Sequence, residues 1–264
     1  MRLMEVTIMG SNKLWEEYKE WQSDDYKWVD LTHELSPETP HWYGFSPLKR
    51  ELLFDYSEDA PEEKKAPMRC IQYTVASQYG THVDAPVHFI PGGRSLGELK
   101  VDEFLYPLVV IDKHKECEEN PEFTLSIDDI KEWEKEHGRI PERAFVAFRS
   151  DWYKKEDLEN KDADGQPHYP GWAKETIEWL VKERNIGSIG HEPADTDPSY
   201  ITTAEGAYPY PAEQYILSTD RFQIEVMRNL DQVPATGSLI FVGVPKMKDG
   251  VGYPARAYAL VPAK

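Results

Sequence analysis

The sequence predicts a single α/β (α+β) domain, with a mixed sheet or barrel-like strand core flanked by helices. Three observations carry this prediction. Short apolar runs rich in β-branched and aromatic residues recur along the 264 residues, as expected of buried strands. Segments of helical periodicity lie between them. No repeat or low-complexity linker divides the chain, and its 20 prolines are scattered through loops rather than gathered at a hinge.

In chain order, residues 1–27 read as an N-terminal arm or peripheral helix and 28–264 as the domain. The strand candidates are MRCIQYTVA (68–76), LYPLVVID (105–112), RAFVAFRS (143–150), IGSIGH (186–191), SLIFVGVP (238–245) and ARAYALVP (255–262). Most are expected to be central in the sheet. LSIDDIKEWEKEHG predicts a helix, because Ser126 followed by Asp129 forms a near capping box and Gly138 supplies a C-terminal stop. GWAKETIEWLVKERN (171–185) places Trp172, Ile177, Trp179, Leu180 and Val181 largely on one helical face.

Composition excludes several functions. With 48 acidic against 30 basic residues the formal charge is −18, which opposes nucleic acids and anionic membranes. No apolar run has the length of a signal peptide or a membrane span, so a cytoplasmic, membrane-free protein is expected. Cys70 and Cys117 form no CxxC pair, so neither a disulfide framework nor a cysteine zinc site is indicated.

The chemistry concentrates in SQYGTHVDAPVHFIPGG (77–93). Along an extended strand, residues of one parity share a face. Gln78, Gly80, His82 and Asp84 would lie together, with Pro86 and His88 continuing the set. Amide, imidazole and carboxylate on one face suit a divalent metal, zinc, manganese or iron(II), with the oxygen-rich set favouring manganese. The ordinary alternative is a hydrogen-bonded histidine beside an Asp-Pro turn.

GTHVDAPVH resembles the signature of the cyclase superfamily of metal-dependent hydrolases, H-x-G-T-H-x-D-x-P-x-H, whose members include bacterial kynurenine formamidase and isatin hydrolase. Similarity extends over roughly 28–262: DLTHEL (30–35) resembles the family's opening strand, GHEPADTD (190–197) its G-x-D-x-x-S-x-D segment, and YPAEQYILSTDRFQIEVMRNL a stretch with a His and, twelve residues on, a Glu. The resemblance implies the family's swivelling β/β/α architecture and one or two divalent ions per subunit, manganese or zinc. Gln78 stands where the family has its first histidine and Glu213 where it has a later one, while Glu225 keeps the glutamate. The implied ligand sets are Gln78, His82 and Asp84 for one ion, and Asp84, Glu213 and Glu225 for a second. His88 matches a catalytic histidine and would shuttle a proton.

The family's chemistry implies hydrolysis of an amide, formamide, cyclic imide, lactam or lactone, with kynurenine formamidase activity, a step of tryptophan catabolism, as the named precedent. A homodimer or homotetramer acting on a small molecule is implied as well. Trp42, within PHWYGF, and His191 and Glu192, at a strand end, are candidate pocket residues. Two rival readings stand beside this one. GRSLG (93–97) matches G-x-S-x-G, which would make Ser95 the nucleophile of a serine hydrolase. A non-catalytic small-molecule-binding protein on the same fold is the other.

Overall fold

A computed structural model describes residues 12–204 and 210–263. Among them are thirteen strands: β1 (Tyr26–Asp30), β2 (Lys49–Phe54), β3 (Cys70–Thr74), β4 (His82–Asp84), β5 (Leu105–Asp112), β6 (Thr124–Leu125), β7 (Phe145–Arg149), β8 (Gly171–Trp172), β9 (Ser188–His191), β10 (Gln223–Glu225), β11 (Ser238–Gly243), β12 (Gly252–Pro254) and β13 (Arg256–Pro262). Nine form one mixed sheet in the order β1-β13-β11-β5-β7-β9-β10-β4-β12. β5, β7, β9 and β10 run parallel, and the remaining pairs are antiparallel. Only Ala255 separates β12, at one end of this order, from β13, next to the other end. The sheet therefore curls towards closure, as the barrel-like prediction required.

Both faces of the central strands are buried, which explains their near-continuous apolar runs. Leu108 and Val110 of β5, with Phe145 and Ala147 of β7, join Ile224, Ala257 and Ala259 in a core inside the curl. The alternate residues Val109, Ile111, Val146 and Phe148 face outward onto Ile130, Trp133, Ile177, Ile216 and Leu217, carried by the helices Ile127–His137, Lys174–Trp179 and Pro211–Ser218. The first of these helices begins at the predicted cap. Asp129 N donates to Ser126 Oγ at 3.3 Å and Ser126 N donates to the Asp129 carboxylate at 2.9 Å.

Three boundaries differ from expectation. The run 68–76 does form a strand, β3, but it pairs only with β2 in a two-stranded ribbon, largely exposed. DLTHEL is not the opening strand: β1 precedes it and ends at Asp30. Residues 171–185 do not form one α-helix. Trp172 belongs to β8, paired with β6, and the helix Lys174–Trp179 gives way to a π-turn over Leu180–Arg184. Of the N-terminal arm, residues 1–11 lie outside the described residues; Lys13–Trp21 is a helix with no buried residue. No helix of the described residues is long and apolar enough to cross a membrane.

Candidate metal centre

β4 is three residues long, flanked by β10 and β12. Antiparallel register sets Glu225 opposite His82 and Gln223 opposite Asp84. Directly opposed side chains on one face sit within contact range, so four polar groups meet in the sheet interior. His82 is 2% exposed and Asp84 fully buried. His82 Nδ1 lies 2.8 Å from the Gly80 carbonyl; donation there leaves Nε2 as the free lone pair. That Nε2 is 3.3 Å from Asp84 Oδ2 and 3.5 Å from Glu225 Oε2.

The extended face predicted from 78 to 88 is shorter than expected. Gly80 takes a left-handed φ of +63°, a turn conformation that breaks the alternation, and Pro86–His88 is a 3₁₀ turn. Only His82 and Asp84 are brought together by strand parity. Gln78 comes from the preceding turn and lines the same cavity as His82, His88, Glu213 and Glu225. Its side-chain oxygen contacts the Ser77 hydroxyl and its Nε2 is buried without a partner. Gly252, opposite Asp84 on the other side, makes room for it: a Cβ there would lie 2.5 Å from Gln78 Nε2 and 2.6 Å from the Val83 carbonyl.

The grouping of ligands also differs from the implied one. Among the described residues, two triplets have converging donor atoms, His82–Asp84–Glu225 and Asp84–His88–Glu213. Glu225 thus falls with the first histidine, and His88 reaches a triplet of its own. The second is looser, with His88 Nε2 4.0 Å from Asp84 Oδ1 and 3.9 Å from Glu213 Oε1. Glu213 is held by the helix Pro211–Ser218, whose first amides, Ala212 N and Glu213 N, donate to the buried Asp197 carboxylate at 2.9 and 3.1 Å.

Gln223 and Thr196 escaped the sequence reading. Gln223 Nε2 lies 3.0 Å from Glu225 Oε1, 3.1 Å from Glu213 Oε1 and 3.3 Å from Asp84 Oδ2. Thr196 Oγ1 lies 2.8 Å from Gln223 Oε1 and 3.0 Å from Glu225 Oε1. The signal available was parity, since Gln223 and Glu225 are two apart on one short strand.

The remaining candidates divide. Trp42 lines the cavity with Phe45, Phe89, Tyr210 and Val226. His191 stands behind Glu225, its Nε2 3.4 Å from Oε1, and is not in the cavity wall. Glu192 is not in the cavity wall either: its Oε2 accepts from Ser150 N and Trp152 N, each at 3.0 Å, which ties that oxygen to the 150–152 turn. Ser95, the nucleophile of the rival reading, is not set as one. No strand leads into it, and its backbone and hydroxyl donate to Glu98 Oε2, each at 2.8 Å, the pattern of a turn. Asp195 lines the cavity and accepts from Tyr169 Oη at 2.6 Å.

Burial opposes the charges of His82 and Asp84, but each stabilises the other's ionised form, so His82 is raised and Asp84 lowered. Glu213 and Glu225 are pushed well above the ordinary carboxylate range, by burial first and then by neighbouring carboxylates. Burial raises Asp195 to about 6 and depresses His191 to about 3. The centre holds more acid than its own protein groups neutralise.

The donor set fits a divalent cation. Metal–ligand bonds of about 2.0–2.2 Å place neighbouring ligand atoms roughly 3–3.6 Å apart, and the distances from His82 Nε2 to Asp84 Oδ2 and Glu225 Oε2, 3.3 and 3.5 Å, fall in that range. His82 Nε2 is buried without a hydrogen bond, a costly state for a polar atom unless something else binds it. The centre opens on a cavity of about 200 Å3 whose lining has no Lys or Arg among the described residues. It adjoins a larger cleft of about 510 Å3 through Trp42, Ala194, Asp195 and Tyr210.

Fold and site together define a metal-dependent hydrolase. A family model described as "Putative cyclase" matches residues 29–198, and the chain belongs to that family. It is 32% identical over 258 residues to isatin hydrolase of Roseibium aggregatum, covering 91% of this chain and 94% of the relative. A structure of isatin hydrolase A from Labrenzia aggregata bound to benzyl benzoate superposes with a TM-score of 0.84 at 35% identity, covering 94% of this chain and 99% of the other. Kynurenine formamidase of Bacillus anthracis is 25% identical over 174 residues, 65% of this chain and 71% of the relative.

Proposed function

We propose that this enzyme hydrolyses the C–N bond of a small, flat, uncharged amide, with a cyclic amide of the isatin type as the leading candidate and an arylformamide as the second. The observation that carries the proposal is the buried His82–Asp84–Glu225 set, with its unpartnered His82 Nε2, at the base of an aromatic-walled cavity. The cavity is smaller than the roughly 300–1,000 Å3 typical of drug-sized ligands, which suits one or two rings. Isatin hydrolases match nearly the whole chain at 32–35% identity, whereas the kynurenine formamidases match a shorter part less well, which supports the order of the candidates.

His82, Asp84 and Glu225, with Gln78 beside them, would hold a divalent ion, manganese or zinc, which would supply Lewis acidity toward a carbonyl and lower the pKa of water. In the reaction, the oxygen of water adds to the carbonyl carbon, the C–N bond breaks, and the nitrogen leaves with a proton. His88 moves that proton. Its ring is part-exposed, lies edge-on to Phe89 with centroids 4.8 Å apart, and stands 3.9 Å from Glu213. Nε2 can take a proton from the water and return it to the departing nitrogen. Trp42, Phe45 and Phe89 present apolar surface to a flat ring and limit bulk water around the carbonyl.

His82→Ala is expected to lose metal retention and hydrolysis together. His88→Ala should retain metal but lose on the order of 10²–10⁴ in kcat, the usual weight of general acid–base catalysis, and Ser95→Ala should leave both unchanged. Metal content and initial rates on the three variants check this. Hydrolysis that survives His82→Ala, or disappears with Ser95→Ala, contradicts the assignment.

A further inference from the structure

The two triplets of donor atoms invite a two-ion centre, but the space among their carboxylates is already taken. Gln223 Nε2 lies within 3.0–3.3 Å of Glu225 Oε1, Glu213 Oε1 and Asp84 Oδ2. These are the three acids that the sequence assigned to a second ion. Thr196 fixes which way the amide faces. Its hydroxyl lies 2.8 Å from Gln223 Oε1, and turning the amide over would aim that oxygen at three carboxylates, so the donor end is the one the site accepts. Gln223 has no exposed surface, and its β10 position opposite Asp84 leaves the amide little freedom to withdraw.

We propose that the Gln223 side-chain amide occupies the place of a second cation, making this a single-ion centre in which a neutral donor, not a metal, ties Glu213 to Asp84 and Glu225. The inference rests on the metal-hydrolase reading above. An amide nitrogen and a cation among the same three oxygens exclude one another. The single ion then belongs to His82, Asp84 and Glu225, where His82 Nε2 is 3.3 and 3.5 Å from the two carboxylates. The looser triplet has Glu213 Oε1 in common with the amide, and an oxygen already tied to Gln223 Nε2 leaves His88 as a proton carrier rather than a ligand.

The test is metal stoichiometry. Apo-protein is loaded separately with excess Mn²⁺ and Zn²⁺, passed through gel filtration, and analysed for metal per chain, with thermal unfolding recorded before and after loading. The wild type should retain one equivalent. Gln223→Leu, which removes the donor, and the nearly isosteric Gln223→Glu, which replaces it with a further ligand, should each rise to two. Both should unfold at lower temperature as apo-proteins and gain more from loading than the wild type does. Two equivalents in the wild type overturn the proposal and leave the hydrolase reading intact, as does one equivalent in the folded Gln223→Glu variant. No retained metal in the wild type overturns the hydrolase reading and the single-ion proposal together.

Discussion

Residues in this protein take their roles from what they face rather than from what they are. Glu192 and Glu225 are both buried acids at the ends of neighbouring strands, yet Glu225 faces His82 while Glu192 accepts from Ser150 and Trp152. Burial raises Glu192 to about 8, so the folded protein keeps a proton that the unfolded chain releases above about pH 4.5. Its contribution to stability is therefore complete below that pH and is lost as pH rises towards 8. In metal-free protein, Glu192→Gln should flatten the fall in melting temperature between pH 5 and 8. Parallel curves for wild type and variant would contradict the assignment. His82, Asp84 and His88 were legible as a functional cluster because their residue types and spacing are unusual for packing. Glu192 was misread because proximity in sequence to His191 says nothing about which way a strand-end side chain turns.

At the level of elements, the centre depends on three short strands being in register. β4 places His82 and Asp84, β10 answers with Glu225 and Gln223, and β12 contributes mainly an absence, Gly252. Gly252→Ala would place a methyl group 2.6 Å from the Val83 carbonyl and 2.5 Å from Gln78 Nε2. Overpacking of this kind typically costs about 1–3 kcal/mol. The variant should unfold earlier and bind metal more weakly; unchanged melting and metal affinity would show that β12 does not shape the site. The long strands and the Ser126 cap could be read from the sequence because their apolar runs and capping residues are local signals. β4, β10 and β12 are three residues each, too short for periodicity to register, and the pairings of β4 with β10 and β12 join residues more than a hundred positions apart. That is why the ligand grouping, and Gln223 within it, emerged only from the fold.

Across the whole molecule, the curled sheet solves a problem that local sequence does not pose. It brings segments near residues 80, 190, 213, 225 and 252 to one place, with an apolar core inside the curl and another beneath the helices. Among the described residues, the lining of the acidic cavity contains no neutralising Lys or Arg. A formal charge of −18 adds no positive field to attract anions, which favours an uncharged substrate and a centre that relies on an added cation. The most direct test of that dependence is the rate of isatin opening, with formanilide in parallel, by the purified protein before chelation, after chelation, and after one equivalent of Mn²⁺ or Zn²⁺ is restored. The predicted result is hydrolysis of at least one of the two that is lost on chelation and recovered with the metal; hydrolysis that continues undiminished in the metal-free protein would contradict it.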